Sequence, residues 1–288
     1  MRRNLHLLVI DPQNDFCDLP ESYLAPRPLG GMEAPALPVA GAHADMLRIA
    51  DLVNRGRQGL SGISVTLDTH QRVDIAHPTF WFDANGAAVP AFTEIVAADV
   101  RAGKYAPRNK DALPRTLAYL DTLEASGRYR LMVWPVHCEI GSWGHNIHAD
   151  VRAACNGWQD AGLGVVNMVT KGTNPWTEHY SAVLAEVPDH DDPATQLNQG
   201  LIDTLARADR VYICGEASSH CVKATTEHIA ANIGAENLAK LVLLTDCMSP
   251  VGGYDAQYQG FVRAMLALGV QAASAADVLP ELLSNAQR

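Results

Sequence analysis

The sequence of 288 residues has no apolar run long enough to span a membrane and no surplus of basic residues. Its 22 lysines and arginines are outnumbered by 32 aspartates and glutamates, which gives a formal net charge of −10. Nucleic acids and anionic membrane surfaces attract basic proteins, so this charge balance argues against both as main partners. A small neutral molecule suits the chain better as a ligand.

Cysteine pairs are also missing. None of the six cysteines has a spacing such as Cys-x-x-Cys, and the apolar segment near the start stops at Asp11 without a small-residue cleavage site close behind it. In a chain of this length without a secretion signal, we expect reduced thiols and a cytoplasmic protein. The six are Cys17, Cys138, Cys155, Cys214, Cys221 and Cys247.

No linker rich in glycine and serine divides the chain, which predicts a single domain over residues 1–288. Two segments interrupt its regular pattern. Residues 71–112 form a long insertion with several prolines and only a weak element near 92–103. Residues 186–197 are acidic and predict a solvated loop.

Short apolar runs alternate with segments of helical periodicity along the chain. Near-continuous runs rich in β-branched residues are typical of strands buried on both faces, and their alternation with helices predicts a parallel sheet. We therefore expect an α/β fold of three layers, α/β/α, around a mostly parallel sheet of about six strands. The expected strands are 5–10, 62–67, 130–134, 163–169, 211–214 and 241–245, and the expected helices are 43–58, 112–126, 146–161, 198–208, 219–232 and 254–268.

Reactive side chains follow several of these strands at the carboxyl end, where open α/β sheets bind ligands. Asp11 follows the first run, Lys171 follows the fourth, and Cys221 lies near the start of the helix after the fifth. The positive end of a helix dipole favours a thiolate, so Cys221 is a candidate nucleophile. Taken alone, Cys221 is better explained as a buried structural cysteine, but the convergence of all three residues favours catalysis.

These three residue types can share one reaction. A carboxylate beside a thiol, such as Asp11, can remove its proton and later protonate a leaving group. A cationic Lys171 would hold the carboxylate and the thiolate together. The alternatives are a turn or cap role for Asp11 and a solvated surface position for Lys171.

A candidate metal site lies nearby in the pattern. Asp68 and His70 are two residues apart at a strand end, so an extended chain points both to one face. His77 and His137 could complete a set of one carboxylate and three imidazoles. Such a set suits zinc, iron(II) or manganese, with water in open positions. The remaining histidines have no such position near a strand end. His145 and His148 are kept as further candidate ligands because they are close in sequence to His137.

As a set, these stretches resemble the isochorismatase-like cysteine hydrolases, and within them the nicotinamidases. The matching pieces occur in the family's order and span almost the whole chain. They are Asp11-Pro12-Gln13-Asn14-Asp15-Phe16, Asp68-Thr69-His70 with His77, Trp134-Pro135-Val136-His137-Cys138, Lys171-Gly172 with Tyr180-Ser181, and Gly215-Glu216-Ala217-Ser218-Ser219-His220-Cys221-Val222.

The resemblance implies a role for each matching residue. Asp11, Lys171 and Cys221 would form the catalytic triad, and the backbone N–H groups of Ala217 and Cys221 would form the oxyanion hole after a cis peptide bond at Ala217. A divalent metal, zinc first and iron or manganese as alternatives, would be held by the four ligands named above. Phe16 and Trp134 would line the substrate pocket.

The resemblance also implies a reaction, namely hydrolysis of a small carboxamide such as nicotinamide to its acid and ammonia through a thioester. Glu216 stands beside the oxyanion hole where the family usually has an apolar residue. We therefore expect Glu216 to contact the substrate and reshape the pocket. The expected partner is a small amide substrate. The sequence does not decide whether the protein forms a homo-oligomer.

Three readings of function remain. The first is the metal-containing amidohydrolase, acting on nicotinamide or on another small amide. The second is an isochorismatase-type hydrolase of a vinyl ether, whose relatives generally lack the metal ligands. The third is a scaffold that keeps the fold for binding alone, which an intact set of Asp11, Lys171 and Cys221 disfavours.

Overall fold

The computed structural model describes residues 2–287, so Met1 and Arg288, the ends of the expected domain, lie outside the described residues. The strands are β1 (Leu5–Ile10), β2 (Gly62–Asp68), β3 (Trp81–Asp83), β4 (Thr93–Ile95), β5 (Tyr105–Pro107), β6 (Leu131–Val133), β7 (Asn167–Lys171), β8 (Arg210–Gly215), β9 (Leu241–Leu244) and β10 (Gln271–Ala273). The α-helices are α1 (Ala42–Gly56), α2 (Ala97–Arg101), α3 (Leu113–Ser126), α4 (Ala149–Asp160), α5 (Gln199–Ala206), α6 (Cys221–Asn232), α7 (Asp255–Ala267) and α8 (Ala275–Ala286).

Six strands form one central sheet in the order β10-β9-β8-β1-β2-β7. Every neighbouring pair in it is parallel. Helices cover both of its faces, so the predicted α/β fold with three layers and about six strands is confirmed. Two small antiparallel pairs, β3 with β5 and β4 with β6, lie outside this sheet.

The membership of the sheet differs from the expectation at one strand. The third apolar run forms β6, which pairs with β4 from the long insertion and does not join the central sheet. Its place in the count is taken by β10, which pairs with β9 at the edge. The sequence shows no apolar run at β10, because an edge strand is only partly covered and needs fewer apolar residues. Its Gln271 and Ala272 are exposed.

Strands β1, β8 and β9 read as continuous apolar runs because each contributes to two hydrophobic cores. In β1, Leu8 and Ile10 pack into the core on one face, whereas Leu7 and Val9 pack into the core on the other. Alternating strand side chains point to opposite faces, so both sets must be apolar when both faces are covered. The same alternation occurs in β8 and β9.

The helices divide between the two faces according to the cores that they fill. Buried side chains of α1, α4 and α8 contribute to one core, and those of α3, α5, α6 and α7 contribute to the other. Helix α8 was not expected, although Ser274 and Asp277 form a capping box at its start. Within residues 2–287, no helix has the length and apolar character needed to cross a membrane.

Two expected boundaries also move. The fourth run was expected at 163–169, but β7 spans Asn167–Lys171, so Lys171 is the last residue of its strand. The insertion over 71–112 is also more ordered than expected, since it contains β3, β4, α2 and β5.

Gly215 ends β8 and brings the following turn against β1. Its φ is 115°, and a Cβ atom there would collide with the backbone of Ile10. We expect Gly215→Ala to lower the free energy of unfolding by about 3 kcal/mol or more, because backbone strain and overlap act together. Denaturant unfolding of the variant measures this loss.

Gly86 provides the matched control for this substitution. It also has a positive φ of 77°, but no atom lies within 4 Å of the position that a Cβ would take, so Gly86→Ala tests strain without overlap. That variant should lose only about 1–2 kcal/mol. Equal losses in the two variants would contradict the close approach of Gly215 to β1.

Candidate active site

Four strand ends converge at the carboxyl edge of the sheet. Asp11 follows β1, Asp68 and Lys171 end β2 and β7, and Cys221 begins α6 after β8. The register of the sheet pairs Asp68 directly with Lys171. The expected strand-end residues are therefore brought together by parallel pairing.

Lys171 occupies the centre of this group. Its Nζ atom lies 3.0 Å from Asp11 Oδ2, 2.9 Å from Asp68 Oδ1 and 3.6 Å from Cys221 Sγ. All four side chains are buried, so these polar groups have only one another and nearby protein groups as partners. The lysine ammonium thus provides the positive charge between two carboxyl groups and a thiol.

Asp11 is held in an unusual backbone conformation at this point. Its φ is 44°, a region that non-glycine residues rarely adopt and that is enriched at functional sites. Thr66 fixes the side chain by donating a hydrogen bond of 2.5 Å from Oγ1 to Asp11 Oδ1. The other oxygen, Oδ2, faces Lys171 and is the one available for proton transfer.

The electrostatics favour a protonated thiol at rest. Burial raises the pKa of Cys221 well above its usual value, and the charge of Lys171 offsets this only in part. Burial likewise raises the pKa of Asp11, against the opposing effect of Lys171. The helix start was expected to favour a thiolate, whereas burial of the thiol acts in the opposite direction.

Lys171 and Asp68 remain charged in the same surroundings. Burial alone would lower the pKa of Lys171, but Asp11, Asp68 and Cys221 raise it well above the usual value. Burial alone would raise the pKa of Asp68, but His70 and Lys171 hold it well below its usual range. The ammonium–carboxylate pair of Lys171 and Asp68 therefore persists at neutral pH.

The predicted metal ligands also lie together. His70, His77 and His137 each present a ring nitrogen within 4.8 Å of the other two. Asp68 Oδ2 lies 3.0 Å from His70 Nε2 and 3.3 Å from His137 Nε2. Three imidazoles thus lie together, and a carboxylate oxygen adjoins two of them. Zinc, iron(II) and manganese accept imidazole and carboxylate donors of this kind.

Outer contacts orient two of these imidazoles. His70 Nδ1 lies 3.1 Å from Asp74 Oδ2, and His137 Nδ1 lies 2.9 Å from the carbonyl oxygen of Pro135. Carboxylate and carbonyl acceptors at the outer nitrogen leave the inner nitrogen free to bind a metal. The residues therefore fit a divalent metal. Asp74 was not predicted, and its only signal is an acidic residue four positions after His70.

We expect the purified protein to bind one zinc ion per chain at these four residues. At a free zinc concentration of 100 times Kd, binding should stabilise the fold by about 2.7 kcal/mol, because the unfolded chain lacks the assembled site. Metal analysis and thermal unfolding with and without chelator measure both effects.

His190 supplies the control for the zinc prediction, since its side chain is 90% exposed and lies outside the histidine cluster. With Asp189 and Asp191 it forms a separate exposed group of possible ligands, so its replacement also tests whether zinc binds there. His70→Ala should lose both the bound zinc and the stabilisation by zinc, whereas His190→Ala should keep them. Equal zinc content in the two variants would contradict the assignment.

A pair of backbone donors lies next to Cys221. The Glu216–Ala217 peptide bond is cis, as the resemblance implies. Across the described residues, the N–H groups of Ala217 and Cys221 donate no hydrogen bond to another protein group. Two free N–H groups beside a thiol are the arrangement that an oxyanion hole requires.

A narrow cavity opens onto the thiol. Phe16 and Trp134 line it, at the positions expected for substrate contacts. The Trp134 side chain is fixed because its Nε1 donates a hydrogen bond of 3.0 Å to Tyr180 Oη. The remaining lining residues, of which none was assigned to the pocket from the sequence, are Leu37, Asp68, His137, Glu178, Tyr180, Ala217, His220, Cys221 and Val251.

Glu216 does not line this cavity, which corrects the expectation that it contacts the substrate. Its carboxyl is fully buried and accepts a hydrogen bond of 3.1 Å from the Ser249 N–H. Burial and the neighbouring Asp45 raise the pKa of Glu216 well above its usual value. The side chain therefore holds the turn on its side facing α1, where Asp45 lies, and not on the side facing the cavity.

The loop that carries His137 is held by a residue without a predicted role. Asp15 Oδ2 accepts a hydrogen bond of 2.6 Å from the Cys138 N–H, and Oδ1 accepts one of 2.9 Å from Ala36. The two further candidate histidines do not join the ligand set. His145 Nε2 lies 3.1 Å from Thr69 Oγ1, and His148 Nε2 lies 2.9 Å from His43 Nδ1.

Comparison with known proteins finds likeness in structure but not in sequence. Neither a protein-family model nor a curated protein matches this chain. A nicotinamidase/pyrazinamidase from Acinetobacter baumannii is 19% identical with a TM-score of 0.61, covering 96% of this chain and 98% of its own. The yeast nicotinamidase bound to the inhibitor nicotinaldehyde is 20% identical with a TM-score of 0.62, covering 94% and 99%.

A third solved structure of similar fold is described as a complex with zinc. The pyrazinamidase of Pyrococcus horikoshii in complex with zinc is 18% identical with a TM-score of 0.52, covering 94% of this chain and 99% of its own. At these identities the likeness is one of fold. The chain therefore has the α/β fold of these amidase structures over nearly its whole length.

Proposed function

We propose that this protein is a cysteine-dependent hydrolase of a small carboxamide, similar in reaction to a nicotinamidase. The observation that carries the proposal is the position of Lys171 Nζ, 3.0 Å from Asp11 Oδ2 and 3.6 Å from Cys221 Sγ. A base, a cation and a thiol are thereby assembled beside two free backbone N–H groups. The solved structures of the same fold, described as nicotinamidases and pyrazinamidases, support the same reaction class.

The first half of the reaction makes a thioester. Asp11 Oδ2 takes the thiol proton while Cys221 Sγ attacks the carboxamide carbon, so a C–S bond forms and the carbonyl oxygen becomes an oxyanion. The N–H groups of Ala217 and Cys221 donate hydrogen bonds to that oxygen. Asp11 then returns the proton to the amide nitrogen, the C–N bond breaks, and ammonia leaves.

The second half releases the acid. Asp11 removes a proton from a water molecule, whose oxygen attacks the thioester carbon. The C–S bond breaks, the acid leaves, and Asp11 returns the proton to Cys221. Lys171 remains protonated throughout and stabilises whichever of Asp11 and Cys221 carries the negative charge.

The cavity walls and a metal held by its ligands would together orient the substrate. Phe16 and Trp134 offer apolar faces on which a flat ring can rest. A divalent metal held by Asp68, His70, His77 and His137 would supply a Lewis-acid position for a ring nitrogen and so orient the carboxamide.

Ammonia release from nicotinamide, pyrazinamide and related heteroaromatic amides by the zinc-loaded protein tests the proposal. We expect turnover of at least one of them, with Cys221→Ala as the blank. Absence of turnover above the blank for the whole series would overturn the proposed amide hydrolysis. Hydrolysis of a vinyl ether without bound metal would favour the isochorismatase-type reading.

A further inference from the structure

Glu178 is a second carboxyl group in the cavity, and the reaction described above does not use it. It lines the cavity together with Cys221 and His137, and only 4% of its surface is exposed. Its Oε1 accepts a hydrogen bond of 2.9 Å from the His179 N–H. Its Oε2 is buried and has no hydrogen-bond partner among the described residues.

The backbone holds Glu178 firmly in this place. Its N–H donates a hydrogen bond of 3.2 Å to Tyr119 Oη, and its carbonyl oxygen accepts one of 3.0 Å from the Glu186 N–H. The free oxygen is therefore presented by a fixed segment. A buried acceptor without a partner is costly, since it has lost its hydrogen bonds to water.

The strong donors around the cavity are engaged elsewhere. The Trp134 indole N–H is bonded to Tyr180 Oη, and the Lys171 ammonium lies between Asp11 and Asp68. The Tyr180 hydroxyl also lines the cavity, but no donor among the described residues makes a hydrogen bond to Glu178 Oε2. A donor for this oxygen therefore has to enter the cavity with a ligand or with water. Nicotinamide carries N–H groups only on its carboxamide, which the reaction places at Cys221.

We propose that Glu178, in its ionised form, is a specificity-determining residue that accepts a hydrogen bond from an N–H or O–H group on the ring of the substrate. This inference rests on the proposed amide hydrolysis and narrows its substrate class. The preferred substrates are carboxamides of amino- or hydroxy-substituted aromatic rings, because an unsubstituted ring leaves Oε2 without a partner.

Glu186 is a second buried carboxyl with one oxygen, Oε1, that has no hydrogen-bond partner among the described residues, but it lies outside the cavity. It has a side-chain exposure of 1%, and its Oε2 lies 3.6 Å from Arg128 Nε. It does not line the cavity. Glu186→Met is therefore a control that removes a buried carboxyl without altering the walls of the site.

The test measures binding without turnover. Zinc-loaded Cys221→Ala is titrated calorimetrically with nicotinamide and with the isomeric aminonicotinamides, which carry one amino group on the ring. The titrations are run at pH 9, because burial raises the pKa of Glu178 to about 8 and the carboxylate must be present. We expect one isomer to bind at least about tenfold more tightly than nicotinamide, the value of one hydrogen bond to a charged group.

Adding Glu178→Met should reduce that preference to about threefold or less, whereas adding Glu186→Met should leave it intact. Glu178→Gln keeps an amide oxygen and should restore part of the preference. If no isomer is preferred, or if Glu178→Met weakens every ligand equally, the inference is wrong. Loss of zinc from Glu178→Met with the preference retained would also overturn it, by making the residue a metal ligand.

These outcomes are separable from those of the proposed function. Ammonia release by the protein with Cys221 intact reports amide hydrolysis, and it does not depend on which ring is preferred. Binding to Cys221→Ala reports ring recognition, and it does not depend on turnover.

Discussion

Replacing Cys221 by alanine is expected to lower kcat/KM for the best amide by at least about 10⁴-fold. The substitution removes the atom that forms the thioester, so the two-step route is lost and only attack by water remains. Substrate binding should change little, because the ring contacts and the metal ligands are untouched. Steady-state ammonia release and calorimetric binding measure the two quantities separately.

Cys155 provides the control for this substitution. It is buried in α4 and packs in the hydrophobic core on the face of the sheet opposite α6. Cys155→Ala should cost some stability and leave turnover near the wild-type level. Rapid denaturation during turnover, followed by mass spectrometry, should find the acyl adduct on Cys221. Full activity in Cys221→Ala, or an adduct elsewhere, would contradict the assignment of the nucleophile.

Replacing Lys171 by methionine should destabilise the fold as well as abolish turnover. Methionine fills a similar volume but leaves the carboxyl groups of Asp11 and Asp68 buried without their shared cation. Breaking a buried ion pair by removing one partner costs about 3–5 kcal/mol. Denaturant unfolding of the metal-free protein measures the loss, since metal binding would offset part of it.

Lys104 is the matched control for Lys171. Its Nζ lies 3.1 Å from Asp99 Oδ2, but its side chain is 58% exposed, so water replaces the lost contact. Lys104→Met should therefore change the free energy of unfolding by no more than about 1 kcal/mol. If Lys171→Met were as mild as this control, the buried network would not be held together by its central cation.

Strand prediction succeeded where burial left a clear pattern. The runs that form β1, β8 and β9 are apolar because two cores need both of their faces. These runs, and the run that forms β2, were each found within one or two residues. The edge strand β10 was missed and β6 was assigned to the wrong sheet. Three extended residues carry too little information to specify their pairing partner.

Helix prediction shows a similar division. The six longer helices that were expected all occur, with boundaries shifted by a few residues. Helix α8 was overlooked even though Ser274 and Asp277 form a start signal that can be read from the sequence. That omission was one of interpretation, because the physical information was present.

The candidate site could be anticipated because it lies at strand ends. Parallel strands bring their carboxyl ends to one edge, so Asp11, Asp68 and Lys171 had to lie near one another once the sheet was parallel. Their protonation could not be anticipated in the same way. The pKa of Cys221 depends on how completely the surrounding chain excludes water, and burial raises it well above its usual value.

Taken by itself, the sequence determined the fold class and the edge at which reactive groups gather, since both follow from local periodicity and from the alternation of strands with helices. Only the tertiary structure decided which way individual carboxyl groups point. Glu216 turns away from the cavity to Ser249, whereas Glu178 lines the cavity and keeps one oxygen without a partner among the described residues. These directions are set by contacts between segments far apart in the chain, which no local pattern of residues encodes.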